Sequence, residues 1–162
     1  MPDLLAGLSQ GVAAHLMARR ETVAVSESST GGLISACLLA IPGASAYFLG
    51  GGVIYTQASR RALLGVPDDA MHGIRSSSEP YALLKARTIR ERLGTTWGLS
   101  ETGATGPTGN RYGDAAGHSC MGVAGGPEPV VMTLETGSAD RQANMQVFAA
   151  TALEFLLKNL SR

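Results

Sequence analysis

A short β-rich run that passes directly into a loop of small residues is the feature that most constrains the fold of this chain. Residues 22–25 form the run, residues 26–32 are serine, threonine, glycine and one glutamate, and residues 33–40 are mostly apolar. Strand, tight loop and buried helix in this order are typical of a βα unit. The chain is therefore predicted to be an α/β protein.

The rest of the chain supplies the other layers. Further helices are predicted over residues 3–19, 57–64, 79–93 and 139–160, and further strands over 52–56, 95–100, 119–124 and 130–134. Because the last two strands form a hairpin, the sheet is mixed rather than wholly parallel. We predict one domain spanning residues 1–162, a three-layer α/β/α sandwich with a mixed central sheet.

The predicted helix over residues 79–93 has clear end signals. Ser78 is a cap residue, Pro80 suits the first turn, and Gly94 is typical of the C-terminus. Its basic side chains are predicted to form a solvated face of the helix, as such runs usually do. They are Lys85, Arg87, Arg90 and Arg92.

Composition excludes several classes of partner. The chain has 13 basic and 13 acidic residues, so no net charge draws it to nucleic acid or to an anionic membrane. No segment is typical of a membrane span or a secretion signal, and we expect a cytoplasmic protein. Cys37 and Cys120 lack CxxC spacing, so no metal is expected. The low charged fraction of 16% favours a homo-oligomer.

Two loops are candidates for a binding site. Residues 26–32 and 102–114 both follow predicted strands, and ligands of α/β sheets bind at the carboxyl ends of strands. The first loop would present backbone N–H groups and hydroxyls at a helix N-terminus, an arrangement that favours an anion. The alternative is that Ser29 or Thr30 only caps the helix. The segment is neither a phosphate-binding P-loop nor a GxGxxG motif.

The order of several motifs resembles one known family. Residues 25–32 (VSESSTGG) and 41–48 (IPGASAYF) are similar to the "AESCTGG…PGSSAYF" signature of the CinA C-terminal, or nicotinamide-nucleotide amidase, family. Residues 55–56 and 63–66 resemble its "YSNEAK…LLGV" segment. Residues 72–73, 78–79 and 103–107 resemble "HGAVSE" and "GIAGP". The resemblance spans nearly the whole chain in the family's order.

The resemblance implies both an activity and a site. Members of this family that are catalytic hydrolyse the carboxamide of nicotinamide mononucleotide to the acid and ammonia, a step of NAD metabolism, and they need no cofactor. Carried over by motif, Ser28 is the nucleophile, and Tyr55 and Arg60 complete the catalytic set. The residues implied to bind the nucleotide substrate are Ser29, Thr30, Gly31, Gly32, Thr105, Gly106 and Arg141. Relatives form closed homo-oligomers, which the resemblance implies here as well.

One departure from the family bears directly on catalysis. The family's lysine in "NEAK", expected to accept the serine proton, aligns with Arg60. A guanidinium stays protonated in proteins, so it cannot act as a base, although it can hold a phosphate or carboxylate. His118 is an alternative base, whereas a lone histidine is more often a surface or core residue. The side chain of Glu27 should point away from the face that carries Ser28 and bind backbone donors or a neighbouring subunit.

Three functions therefore remain open from the sequence. The first is an amidohydrolase of pyridine nucleotides that uses Ser28. The second is a nucleotide-binding or regulatory module that kept the pocket but lost hydrolysis, which the arginine at position 60 favours. The third is an oligomeric structural protein without a ligand, against which the two donor-rich loops argue.

Overall fold

A five-stranded mixed sheet forms the centre of the protein, as a computed structural model of the chain describes it for residues 1–161. The strands lie in the order β2-β1-β3-β4-β5, with β1 parallel to β2 and β3, and β4 antiparallel to β3 and β5. The predicted mixed sheet is confirmed. The strands are β1 (Val23–Glu27), β2 (Phe48–Val53), β3 (Trp97–Ala104), β4 (His118–Ala124) and β5 (Val130–Glu135).

Helices cover both faces of the sheet. Helices α1, α2 and α5 pack on one face, and α4 packs on the other across β1, β3 and β4, which confirms the α/β/α sandwich. The helices are α1 (Pro2–Arg19), α2 (Leu33–Leu39), α3 (Gln57–Ser59), α4 (Glu79–Leu93) and α5 (Arg141–Leu160). The short α3 continues into a π-helical turn, Arg60–Leu64, and 3₁₀ turns occupy Ala44–Ala46 and Asp68–Met71. Within residues 1–161, no helix combines the length and apolarity needed to cross a membrane.

Two strands differ from their predicted positions. The second strand was expected over residues 52–56 but lies at Phe48–Val53, where Gly50 and Gly51 pair with β1. Three consecutive glycines look like a break in the sequence, but pairing with a neighbouring strand outweighs local propensity. Likewise β3 extends to Ala104, because its last residues pair with the start of β4 at His118. Part of the predicted loop over 102–117 is therefore strand.

Helix α4 begins and ends where the sequence predicts. Ser78 caps it by accepting a hydrogen bond from the amide of Tyr81 (3.3 Å), and Gly94 closes it in a left-handed conformation. Two glycines let this helix lie close to the sheet. A Cβ at Gly98 would lie 2.1 Å from the carbonyl oxygen of Ala86, and one at Gly122 would lie 2.7 Å from that of Ala82.

Strand β1 determines which side chains reach which face. Val23 and Val25 belong to the main core, beneath α1, α2 and α5, whereas Ala24 belongs to a smaller core beneath α4. Because side chains alternate along a strand, Glu27 continues the first series, and Ser26 continues the second. Acidic and hydroxyl groups from one short segment are thus divided between the two faces of the sheet.

Candidate active site

Glu27, at the end of β1, holds the loop that follows it. One carboxylate oxygen accepts hydrogen bonds from the amides of Gly32 (3.0 Å) and Ile34 (3.1 Å) and from the hydroxyl of Thr30 (2.7 Å). The other oxygen accepts from the amide and hydroxyl of Ser35, at 3.0 and 2.7 Å. Glu27 therefore caps the N-terminal turn of α2, which confirms the prediction that it binds backbone donors on that side.

A second buried carboxylate, that of Glu101 on β3, holds the same loop from the neighbouring strand. It accepts hydrogen bonds from the amides of Ser28 (3.0 Å) and Thr30 (3.1 Å). It also accepts from the hydroxyls of Ser29, Thr30 and Ser119. Sequence reasoning missed Glu101. The available signal was an acidic residue inside a strand that otherwise reads as buried, since a buried carboxylate needs donors nearby.

The loop's donors are consequently used within the protein. The amides of Thr30 and Gly32 bind the two carboxylates, and the amide of Gly31 donates to the carbonyl oxygen of Ser28 (3.1 Å). The hydroxyls of Ser29 and Thr30 also donate to carboxylates. The prediction that these residues present free donors to an anion is therefore wrong, because Glu27 and Glu101 already occupy that position.

A cavity of about 750 Å³ opens on the α4 side of the sheet, at the carboxyl ends of β1 and β3. It is lined by all three residues assigned to catalysis, although Ser28 is far from Tyr55 and Arg60 in the sequence. Six of its lining residues matter most here: Ser28, Tyr55, Arg60, Tyr81, Thr102 and Tyr112. The two candidate loops thus contribute to one cavity, the first through Ser28 and the second through residues 102–103 and 110–112.

The residues assigned to substrate binding lie outside the walls of this cavity. Thr105 and Gly106 follow the end of β3, where the side chain of Asn144 binds the carbonyl oxygen of Thr105 (2.9 Å). Arg141 comes closest to the cavity. Its guanidinium donates to the carbonyl oxygen of Gly106 (2.6 Å) and approaches the hydroxyl of Tyr55 at 3.3 Å. Arg141 therefore positions a wall residue rather than forming the wall.

Ser28 has the features of an available nucleophile. Its residue is 8% exposed, and its side chain lines the cavity. Its amide is fixed by Glu101, whereas its hydroxyl has no hydrogen-bond partner within residues 1–161. The backbone is therefore held in place while the hydroxyl remains free to meet a ligand.

Arg60 lines the same cavity and is 5% exposed. Its Nη2 binds the carboxylate of Asp68, which also accepts two hydrogen bonds of 2.8 Å from Arg61. The hydrogen bond from Arg61, with the charges of both arginines, holds the pKa of Asp68 below its usual value. The Nε of Arg60 is buried and has no partner in the described part of the chain. The Nη1 also has no hydrogen-bond partner there, and unlike Nε it is not buried.

Two further arginines border the cavity and enclose a tyrosine. Arg75 forms a two-pronged ion pair with Asp114, at 2.7 and 3.0 Å. The guanidinium carbons of Arg75 and Arg111 lie 5.4 and 5.2 Å from the ring centre of Tyr112, distances typical of cation–π contacts. The side chain of Asn110 binds Asp114 (2.8 Å). The loop over residues 110–114 is therefore held in place by ion pairs and hydrogen bonds of its own side chains.

The prediction of a solvated basic face is wrong for Lys85, whereas Arg87 and Arg92 are exposed as predicted. Lys85 is completely buried beneath α4, and its Nζ donates to the carbonyl oxygen of Glu101 (2.7 Å). Removal from water lowers its pKa to about 8, although the charges of Glu101 and Glu27 oppose this shift. The signal was present in the spacing. Residues 82, 85, 86 and 89 follow the i, i+3, i+4, i+7 pattern of a buried helix face.

His118 cannot accept the serine proton. Its Nδ1 meets the carboxylate of Glu135, and its Nε2 lies 2.8 Å from the carbonyl oxygen of Ser77, so both ring nitrogens face acceptors. Burial alone would lower its pKa, but these two contacts and the charge of Asp114 outweigh burial and raise it. His118 therefore holds Ser77 at the cavity wall through a hydrogen bond.

The contacts of His118 are expected to make the free energy of unfolding depend on pH. The folded state binds the proton of His118 more tightly than the unfolded state, so the stabilisation is complete below the unfolded pKa near 6.5 and is lost as pH rises through the higher folded value. Urea unfolding between pH 5.5 and 8.5 should show that the advantage of wild type over His118→Gln shrinks as pH rises. The exposed His72→Gln is the control. An advantage that grows with pH would contradict this assignment.

The cysteines and acidic residues do not form a metal centre. The Sγ of Cys120 lies 3.6 Å from the Nε2 of His118, and the pKa of this buried thiol is raised by desolvation. Within residues 1–161, no three histidine, cysteine, aspartate or glutamate side chains are grouped as metal ligands. The chemistry that the described residues offer is that of a serine hydroxyl beside guanidinium and phenol groups.

Comparisons with known proteins agree with this fold. The model of the family described as "CinA C-terminal domain" matches residues 5–160. Proteins called "CinA-like protein" from Salinibacter ruber and Myxococcus xanthus are 38% and 39% identical over 90% and 86% of this chain. The matches cover only 35% and 33% of those relatives, about a third of their length.

Solved structures give the same result. The competence/damage inducible protein CihA from Agrobacterium tumefaciens superposes with a TM-score of 0.89 at 26% identity, covering 98% of this chain and 96% of that one. The competence damage-inducible protein A from Klebsiella pneumoniae gives a TM-score of 0.90 at 23% identity, with 98% of both chains covered. At that identity the second likeness bears on the fold alone.

Proposed function

Because the chain belongs to the CinA C-terminal domain family, we propose that it hydrolyses the carboxamide of a pyridine mononucleotide, with Ser28 as the nucleophile. The observation that carries the proposal is that Ser28, Tyr55 and Arg60 line one cavity. The family resemblance assigns Ser28 to catalysis from one motif, and Tyr55 and Arg60 from another. A free hydroxyl at the wall of a cavity that has room for a nucleotide is the first requirement of the reaction.

The reaction divides into two steps. The Oγ of Ser28 attacks the carboxamide carbon and gives its proton to an acceptor, a proton is delivered to the amide nitrogen, and the C–N bond breaks to release ammonia. Water then cleaves the acyl-serine ester to give the carboxylate and restores the hydroxyl. The amide of Ser28 is bound to Glu101, so it is not available to stabilise the developing oxyanion.

The mechanism requires a group that takes the proton of Ser28. Arg60 remains protonated and is bound to Asp68, so it does not accept the proton. Tyr55 is the other catalytic candidate in the cavity, and its oxygen lies 3.3 Å from the guanidinium of Arg141. We assign Tyr55 the role of a relay, in which its phenol oxygen takes the proton of Ser28 while its own proton passes to the departing amide nitrogen.

Incubation with nicotinamide mononucleotide tests the proposal. Wild type should release ammonia and nicotinate mononucleotide, and Ser28→Ala should reduce kcat by about 10³-fold or more, as loss of a nucleophile does. The substitution removes one hydroxyl that makes no hydrogen bond within residues 1–161, so the fold should be unaffected, which circular dichroism can verify. Equal ammonia release from wild type and Ser28→Ala would refute the assignment of Ser28.

A nucleotide-binding module without hydrolysis is the second candidate, which the arginine at position 60 supports. In that case wild type binds the mononucleotide but releases no ammonia. Arg60→Lys then distinguishes a lost base from an unsuitable pocket. Gain of ammonia release by Arg60→Lys would support the binding module, because lysine can be desolvated into a base and arginine cannot.

A further inference from the structure

The cavity carries more positive charge than its carboxylates neutralise. Four arginines lie at or beside the cavity: Arg60, Arg61, Arg75 and Arg111. Within the described chain they form ion pairs with two carboxylates only, those of Asp68 and Asp114. Asp114 neutralises Arg75, and Asp68 is shared between Arg60 and Arg61. An excess of two positive charges therefore remains around an open cavity.

The guanidinium of Arg60 has two nitrogens, Nε and Nη1, without a hydrogen-bond partner within residues 1–161. A buried N–H group without an acceptor costs free energy, so native proteins rarely leave one unpaired. The guanidinium is fixed in place because Asp68 holds its Nη2, and Arg60 lines the cavity. Its Nε is buried, so Nη1 is the donor that a ligand in the cavity can reach. An acceptor supplied by a ligand would give Nη1 a hydrogen-bond partner.

We propose that Arg60 binds the phosphate monoester of the ligand through its Nη1, and that it has no role in proton transfer. A phosphate monoester carries close to two negative charges at neutral pH, which matches the excess charge of the cavity. Its oxygens accept charge-assisted hydrogen bonds from guanidinium groups. The inference rests on the proposed nucleotide ligand, but it concerns binding and does not require hydrolysis.

Paired ligands and paired variants test this role. Isothermal titration calorimetry would compare nicotinamide mononucleotide with nicotinamide riboside, which differs only by lacking the phosphate. The proteins are wild type, Arg60→Met and Arg61→Met. Arg61 is the matched control, because it also binds Asp68 but does not line the cavity.

Arg60→Met is expected to weaken binding of the mononucleotide by about tenfold to a hundredfold, as loss of a charge-assisted hydrogen bond does. Riboside binding should change less than about threefold, and Arg61→Met should change neither ligand by more than that. Melting curves of the free proteins verify folding. Should a variant be unfolded, wild type alone still tests the site, because it must bind the mononucleotide at least tenfold more tightly than the riboside.

Three outcomes would overturn the assignment. They are equal affinity of wild type for the two ligands, an equal loss for both ligands in Arg60→Met, and a loss in Arg61→Met as large as in Arg60→Met. Phosphate-dependent binding without ammonia release would support the site and refute the proposed hydrolysis. Ammonia release without phosphate dependence would support hydrolysis and refute the role of Arg60.

Discussion

Replacement of Glu27 by glutamine is expected to lower the free energy of unfolding by about 4 kcal/mol. Both carboxylate oxygens of Glu27 accept backbone amides, one from Ser35 and the other from Gly32 and Ile34. A glutamine side chain must turn its own NH₂ group toward one of these sets, in either orientation. Donor then faces donor in a buried site, and at least one amide loses its acceptor.

Urea unfolding at pH 7 measures this loss, which should also lower Tm by roughly 10 °C for a chain of this size. Glu101→Gln is the matched control. One of its oxygens accepts the amides of Ser28 and Thr30, but the other receives only hydroxyls, from Ser29 and Ser119. A hydroxyl can reverse and accept from NH₂, so this substitution should cost only about 1–2 kcal/mol. Equal losses for the two variants would contradict the argument.

The buried amine of Lys85 is expected to make stability rise with pH by about 3 kcal/mol. Its folded pKa is lowered from 10.5 to about 8, so the unfolded chain binds this proton more tightly than the folded chain does. The cost of burying the charge is present in full below pH 8, and it disappears as pH rises to about 10.5. At about 1.4 kcal/mol for each pH unit, this difference gives the expected gain.

Comparison with Lys85→Met isolates this effect from other titrating groups. The free energy of unfolding of wild type, minus that of Lys85→Met, should increase by about 3 kcal/mol between pH 7 and 11. Lys158 is the only other lysine of the chain and is exposed on α5, so Lys158→Met provides the control. A difference between wild type and Lys85→Met that stays constant over this range would show that Lys85 is not buried as a charge.

The sequence predicted the sandwich because each element carries a local signal. The caps of α4 and the strand–loop–helix order at residues 22–40 are examples, and both elements lie where they were expected. The period of two along β1 correctly placed Glu27 on the opposite face from Ser28. These inferences need only neighbouring residues, which is why they succeed.

The parts of the site that were mispredicted depend on contacts between distant residues. The loop amides were expected to be free because nothing near them in sequence accepts their hydrogen bonds except Glu27. Their other acceptor, Glu101, arrives from β3 some 70 residues later, where the parallel pairing of β1 with β3 places it. Lys85 was misjudged for a different reason. Its charge was given more weight than its position among the buried residues of α4.

Two missing β-carbons, at Gly98 and Gly122, decide how near α4 comes to the strands it crosses. Because α4 lies this close to the sheet, no layer of water fits between it and β3, and the amine of Lys85 stays dehydrated. The distance between α4 and the sheet also sets how far Tyr81, which lines the cavity, projects into it. A methyl group at either glycine would push α4 away from the sheet. Water would then reach the amine of Lys85, and the cavity would widen. Two residues that contact no ligand thus tune the basicity of one group and the shape of the site.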